Sequence, residues 1–104
     1  MAVEPDQIIN EETASKGRYI YRDGDAEAEL TYSRAGAALI IIDHTEVPEV
    51  FRGQGVGQAL VLRAVIDARA AGRTILPLCP FAAAQFRRHP DWADVVQGGG
   101  PRPG

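Results

Sequence analysis

The stretch HTEVPEVFRGQGVGQALVLRAV, residues 44–65, decides how the rest of the chain is read. It opens in β-branched and charged residues, breaks at Pro48, and passes through Arg52-Gly53-Gln54-Gly55-Val56-Gly57 into an apolar segment. Val56, Leu60, Val61, Ala64, Val65 and Ala68 recur at helical spacing, which predicts a helix over 54–71. Arg63 and Asp67 stand four apart on its other side, and Gly72 is placed to cap its end. Glycine is a poor helix former, so three of them at the mouth of the main helix need a reason. A helix start carries unpaired N–H groups and partial positive charge. Glycines there let an anion approach the backbone closely. The plain alternative is a flexible turn between a strand and a helix.

Upstream of this stretch the pattern is that of strands. Residues 7–12 form a weak, short candidate, and RYIYR, 18–22, is aromatic and β-branched. Asp23-Gly24 suits a hairpin turn. Over 26–34 the chain alternates, with Ala26, Ala28, Leu30 and Tyr32 on one face and Glu27, Glu29 and Thr31 on the other. After a turn at Ala35-Gly36, AALIIIDHTEV, 37–47, begins apolar and ends polar. That predicts a central strand buried on both faces whose far end opens into a site. Downstream, RTILPL, 73–78, reads as a short strand whose Pro77 places its end at an edge or splayed away. Residues 81–89 form a short helix stopped by Pro90, and DWADVV makes a last turn. The expected fold is a mixed α/β (α+β) sheet. It consists of an antiparallel meander, then a parallel, right-handed strand–helix–strand crossover, then a short C-terminal helix.

The chain's 104 residues suffice for one domain, expected over 7–97, with loose ends at 1–6 and in the Gly/Pro-rich 98–104. A net charge of -3 argues against a nucleic-acid partner. The lone cysteine, Cys79, rules out an internal disulfide and fits a reducing compartment. MAVEPDQ lacks the apolar run of a signal peptide, and no segment approaches the roughly 20 apolar residues of a membrane span. A cytoplasmic protein with no membrane partner and no metal is expected.

The Gly-rich loop is neither a Walker loop, which needs a lysine, nor a dinucleotide fingerprint, because Gln58 or Leu60 stands where the third glycine belongs. Arg52-Gly53-Gln54-Gly55-Val56-Gly57 does match Q/R-x-x-G-x-G/A, the pyrophosphate loop of the GNAT N-acetyltransferases. With its flanks, HTEVPEVFRGQGVGQALV and LPLCPFAAAQFRRHPDWADV, the chain resembles the minimal, single-domain GNAT-like subfamily. The likeness is close over 44–96 and holds in pattern over 19–43. The resemblance implies acetyl-CoA as cosubstrate. It implies that the long strand ends at a bulge and splays from the next strand, with the pantetheine arm paired to the backbone of Val47. It also implies that the amides of Arg52, Gly53, Gln54, Gly55, Val56 and Gly57 hold the pyrophosphate.

Acyl transfer to an amine needs a base, a polarised carbonyl and an acid for the leaving thiolate. His44 and Glu46, two apart on the long strand, share a face and are candidates for the base. Each can equally be a solvated or hydrogen-bonded strand residue. Larger members of the superfamily often place a tyrosine after the next strand, and residues 79–89 contain none. Cys79 stands there instead. It can carry an acetyl thioester, donate a proton, or pack as a small hydrophobe. Phe81 and Phe86, five apart, read as core. Arg87, Arg88 and His89 either reach phosphates or the acceptor or form a solvated helix end. Trp92 reads as a packing anchor, and Asp43 has no assigned role. Larger members insert helices among their first strands; residues 7–34 have no helical period, so the acceptor side is expected to be open. An open side suits the amine of a protein or peptide. The alternative is a coenzyme-A-binding sensor or interaction module with little turnover.

Overall fold

The computed structural model describes residues 3–96. Five strands form one sheet in chain order: β1 (Ile9–Glu12), β2 (Lys16–Asp23), β3 (Ala26–Arg34), β4 (Leu39–Glu46) and β5 (Thr74–Pro77). The first four are antiparallel, and β5 lies parallel to β4. The connection between those two is helix α1 (Val56–Ala71), and helix α2 (Pro80–Arg88) follows β5. Short 3-10 segments occupy Pro5–Gln7, Glu49–Phe51 and Pro90–Val95. The expected mixed α/β fold is therefore what forms. No helix among the described residues is long and apolar enough to cross a membrane.

Local chemistry accounts for the elements. Gly24 takes a positive φ of 63° in the two-residue loop between Asp23 and Ala26, a conformation that suits glycine. The turn is thus Gly24-Asp25, one residue later than expected, because Asp23 still pairs with Ala26. Helix α1 ends as expected at Gly72 in the left-handed conformation, its amide donating to Ala68 and Arg69 carbonyls. It begins at Val56, two residues later than the periodicity suggests, because Gly55 is already left-handed (φ 70°, ψ 23°).

Helix α1 buries Val56, Ala59, Leu60, Val61, Ala64, Val65 and Ala68 against Tyr19, Ala28, Leu30, Tyr32, Ile40, Ile42 and Ile75 of the sheet. Each fully buried aliphatic side chain contributes about 1.5–3 kcal/mol. Trp92 is buried beside Phe86 (ring centroids 5.4 Å), an anchor as expected. Both helices cover the same face. The other face carries Arg18, Glu29, Arg22 and Glu27, joined in cross-strand ion pairs. Strand β4 is therefore not buried on both sides: Ile40 and Ile42 are buried, Leu39 and Ile41 only half so, and Asp43, His44 and Glu46 are exposed. Among the described residues no helix covers that face, and the paired charges surround its one fully buried side chain, Ile20.

Two further expectations change. Arg63 and Asp67 are not merely a solvent-side pair. Arg63 also donates to the Pro5 and Ile8 carbonyls, and Asp67 accepts from the buried Tyr19 hydroxyl at 2.9 Å. Burial and the adjoining Asp67 carboxylate raise the Tyr19 phenol far above its ordinary value. The N-terminal segment is thereby held from Val3 onward, with the Val3 amide on the Gln54 carbonyl (3.1 Å), rather than loose through residue 6. The tail expected to be loose, 98–104, lies outside the described residues.

Glu12 ties β1 to the rest, accepting from Arg73 (2.8 Å), the Tyr32 hydroxyl (2.7 Å) and Arg34 (3.3 Å). The bond from Arg73, helped by Tyr32, holds its carboxyl below the ordinary range against the opposing effect of burial. A depressed folded pKa stabilises the fold above the unfolded carboxyl value and loses that contribution as the pH falls through the folded one. Glu12→Gln should therefore cost about 1 kcal/mol at pH 7, a value reduced by solvent screening. Urea unfolding at several pH values checks this: the gap to wild type should be full above about pH 5 and shrink below about pH 4.

Candidate functional site

The site is built where β4 and β5 part. Their pairing runs from Leu39↔Thr74 to Ile42↔Pro77 and stops, since Pro77 has no N–H to extend the ladder. The amides of Leu78 and Cys79 both close on the Ile42 carbonyl at 3.1 Å. Beyond Ile42 the end of β4 pairs with β3 alone, through Thr31↔His44, Leu30↔Thr45 and Glu29↔Glu46. Its other edge carries no strand among the described residues.

A bulge sits at this point. Tyr32 pairs with Ile42 and Thr31 with His44, so Asp43 is the extra residue, held by the Ser33 hydroxyl at 2.8 Å. This is the role the sequence did not assign to Asp43. The extra residue resets the alternation. Thr45 joins buried Leu30 on the helix side, while His44 and Glu46 both point to the uncovered face. His44 and Glu46 do share a face, as expected. Cys79 is on the other one, its Sγ 3.4 Å from Thr45 Oγ1. The three candidate groups therefore flank the gap between the strands from opposite sides rather than lining one surface.

Cys79 is 5% exposed and precedes α2 as its N-cap residue. Burial alone pushes its thiol up. The Thr45 hydroxyl and the amides of Ala82, Phe81 and Thr45 outweigh this and bring it below the ordinary thiol value. No geometrically strict capping bond forms, yet the start of α2 is aimed at the sulfur.

An open groove of about 280 Å³ lies beside this point. Val47 lines it at the end of β4, followed by Phe51 and Arg52 of the turn, Gly53 and Gly55 of the loop, and Val56, Gly57 and Gln58 of α1. Phe81 and Gln85 of α2 close the other wall. Six of the seven residues expected to hold the cofactor are brought together here; Gln54 is not among them. The Gln54 amide donates to Phe51 (3.1 Å) and the Arg52 amide to Glu49 (2.9 Å), so neither is open to an anion. The Arg52 side chain is exposed and paired with Glu49. The first intrahelical bond of α1 runs from Ala59 to the Gly55 carbonyl. No side chain caps the helix. Among the described residues, nothing accepts from the amides of Gly53, Gly55, Val56, Gly57 and Gln58.

The glycines serve different purposes. Gly53 (φ 79°) and Gly55 (φ 70°) adopt a backbone that other residues avoid. Gly57 is helical, but a Cβ on it would stand 2.7 Å from the Phe81 ring. Its bareness admits Phe81, which is 39% exposed and lies along the groove rather than in the core. Phe86 is the core residue of the two. Phe51, Gln58, Phe81 and Gln85 were not anticipated. Only Gln58 had a signal, as the last free amide of a helix start. Arg87 and Arg88 remain exposed, and His89 stacks on Trp92 with ring centroids 3.9 Å apart. A larger hollow, about 520 Å³, lies on the uncovered face and includes Arg18, Thr31, Ser33 and Asp43.

The sequence pattern of the GCN5-related N-acetyl-transferase family matches residues 18–95. The chain belongs to that family. Its fold is also similar to a solution NMR structure of a GCN5-like candidate N-acetyltransferase from Staphylococcus aureus. The two are 29% identical, align over 92% of each chain, and superpose with a TM-score of 0.66. The GCN5-related family uses acetyl-CoA as its cosubstrate and transfers acetyl groups to amines. The free amides, the groove and the unpaired strand edge suit a ligand with a pyrophosphate and a long polar arm.

The thiol environment is open to a direct check. Alkylation of Cys79 by iodoacetamide, followed against pH, should show a midpoint below the ordinary value of about 8.5. Thr45→Val should move that midpoint upward, while a midpoint unchanged by the substitution would remove Thr45 as its cause.

Proposed function

We propose that the chain is an acetyl-CoA-dependent N-acetyltransferase whose acceptor is an amine of a protein or peptide. The observation that carries this reading is the uncapped start of α1, whose free amides open into a groove that runs to the unpaired edge of β4. In this reading the amides of Gly53, Gly55, Val56, Gly57 and Gln58 receive the pyrophosphate. The backbone at Val47 pairs with the pantetheine arm as a further strand would. Acetyl-CoA supplies an activated acetyl thioester, directed into the gap where β4 and β5 separate.

The residues around that gap suit a two-step transfer. The Cys79 thiolate attacks the thioester carbonyl, the bond to the coenzyme A sulfur breaks, and that sulfur takes up the proton Cys79 released. The acceptor amine then attacks the acetyl carbonyl on Cys79, the carbon–sulfur bond breaks, and Cys79 departs as its thiolate. The amine approaches from the uncovered face, where His44 or Glu46 takes the proton it loses. The lowered thiol pKa supports the first step. The position of His44 and Glu46 across the strand from Cys79 supports separate entry for donor and acceptor. The lack of helices over that face suits a macromolecular acceptor more than an enclosed metabolite.

A second reading, a coenzyme-A-binding module with little turnover, is favoured by the absence of tyrosine in residues 79–89. The Tyr19 and Tyr32 hydroxyls are already committed to Asp67 and Glu12. Mass spectrometry of the intact protein after incubation with acetyl-CoA separates the two. The enzymatic reading expects an acetyl adduct on Cys79 that disappears when a lysine-bearing peptide is added, and no turnover in Cys79→Ala. Tight binding of acetyl-CoA without transfer to any amine would establish the second reading instead.

A further inference from the structure

We propose that the hollow on the uncovered face is a docking subsite for the acceptor, and that it selects peptides with an acidic side chain three or four residues from the reacting lysine. The inference rests on the reading of the chain as a transferase whose acceptor enters at His44. The hollow holds about 520 Å³. Thr31 and Asp43 line one end of it. Thr31 pairs with His44, and Asp43 immediately precedes it, so a molecule seated there lies beside the candidate base. The hollow is preformed. The Tyr32 ring crosses Gly17, where a Cβ would collide with it, and its hydroxyl is fixed on Glu12 at 2.7 Å. Gly17 thus faces the helices, and its neighbours Lys16 and Arg18 face the hollow.

Most of the polar groups around it are already satisfied. Arg18 is shared between Glu11 (2.9 Å) and Glu29 (3.1 Å). The Thr13 hydroxyl donates to the Lys16 carbonyl, and the Ser33 hydroxyl to Asp43. Two charges are left over. Lys16 is the only lysine in the chain. Arginine or histidine supplies the cation of every ion pair among the described residues, and the Lys16 ammonium joins none of them. Asp43 holds a hydroxyl but no cation. The hollow is therefore dipolar, positive on β2 and negative on β4, with the negative end beside His44.

A dipolar site fits a dipolar ligand. The acceptor amine arrives as an ammonium, which Asp43 draws to the His44 end. A carboxylate farther along the same ligand then meets Lys16. The register places Lys16 opposite Ser33 and His44 opposite Thr31, so the two lie two strands apart and two residues along. That offset is about 12 Å, which extended chain covers in roughly three to four residues. Lys16 is thereby a specificity residue for the acceptor, remote from the reacting atoms.

Two lysine peptides test this, one with glutamate three residues to either side of the lysine and one with glutamine there. With acetyl-CoA, the wild type should acetylate the glutamate peptide with about threefold higher kcat/KM, the size expected of an exposed ion pair, and the preference should shrink at high salt. Lys16→Gln should bring the two peptides to equal rates. Lys16→Glu should favour a third peptide with arginine at those positions. Amide shifts of Lys16, Thr31 and Ser33, recorded as the glutamate peptide is added to coenzyme-A-saturated protein, report docking independently of turnover. Equal rates for the two peptides in the wild type, or a preference that survives in Lys16→Gln, overturns the inference and leaves the transferase reading standing. If neither peptide is acetylated, the transferase reading loses its support. Shifts at the hollow with the glutamate peptide alone would then still assign it acidic peptides, and no shifts there would overturn the subsite as well.

Discussion

The arrangement depends on one unpaired residue in a strand. Asp43 is the bulge that lets β4 slip past β3, and everything beyond it follows from that slip. Without it His44 would continue the inward series of Ile40 and Ile42. With it, Thr45 faces the helices and meets Cys79, while His44 and Glu46 face outward. Within the same short segment Pro77 ends the pairing of β5. A bulge on one edge and a proline on the other give β4 a tip with one free side. Backbone groups there need partners, and an extended ligand can supply them.

The second constraint is the approach of α2 to α1. Helix α1 can start bare because Gly55 turns the chain with a positive φ and no side chain folds back over the first turn. It can come close to α2 because Gly57 leaves room for the Phe81 ring. The groove is the space left between these two requirements. Its polar end is made of amides on α1. Its other wall, from α2, is apolar except for Gln85. An alanine at 57 would be acceptable to a helix in isolation and would crowd the ring. The glycine is therefore explained by tertiary packing as much as by ligand access.

Much of this was legible in the sequence because it is local. The alternation over 26–34 gives β3 its faces, the 3.6-residue period gives α1, and Gly72 closes it. The composition of the Gly-rich loop raised the expectation of an anion site, and five of its six residues, together with Val47, line one groove. What was not legible depends on partners distant in the chain. The bulge depends on which residue of β3 faces Asp43. The amides of Arg52 and Gln54 are lost to turns closed by Glu49 and Phe51. The N-terminal segment looked loose because its anchor, Arg63, is on a helix far along the chain. Gln85 carries no signal in one dimension, since a glutamine in a short helix is ordinarily solvated.

The central claim is that the bare start of α1 and the free edge of β4 form one binding surface for the phosphates and arm of coenzyme A. Amide chemical shifts recorded by NMR during a coenzyme A titration test it most directly. The account predicts that Val47, Gly53, Gly55, Val56, Gly57 and Gln58 shift together, with one apparent affinity. Glu11, Arg18 and Ser33, around the hollow on the uncovered face, should stay in place. Shifts centred on that hollow, or a Gly-rich loop that does not respond to a bound ligand, would contradict it.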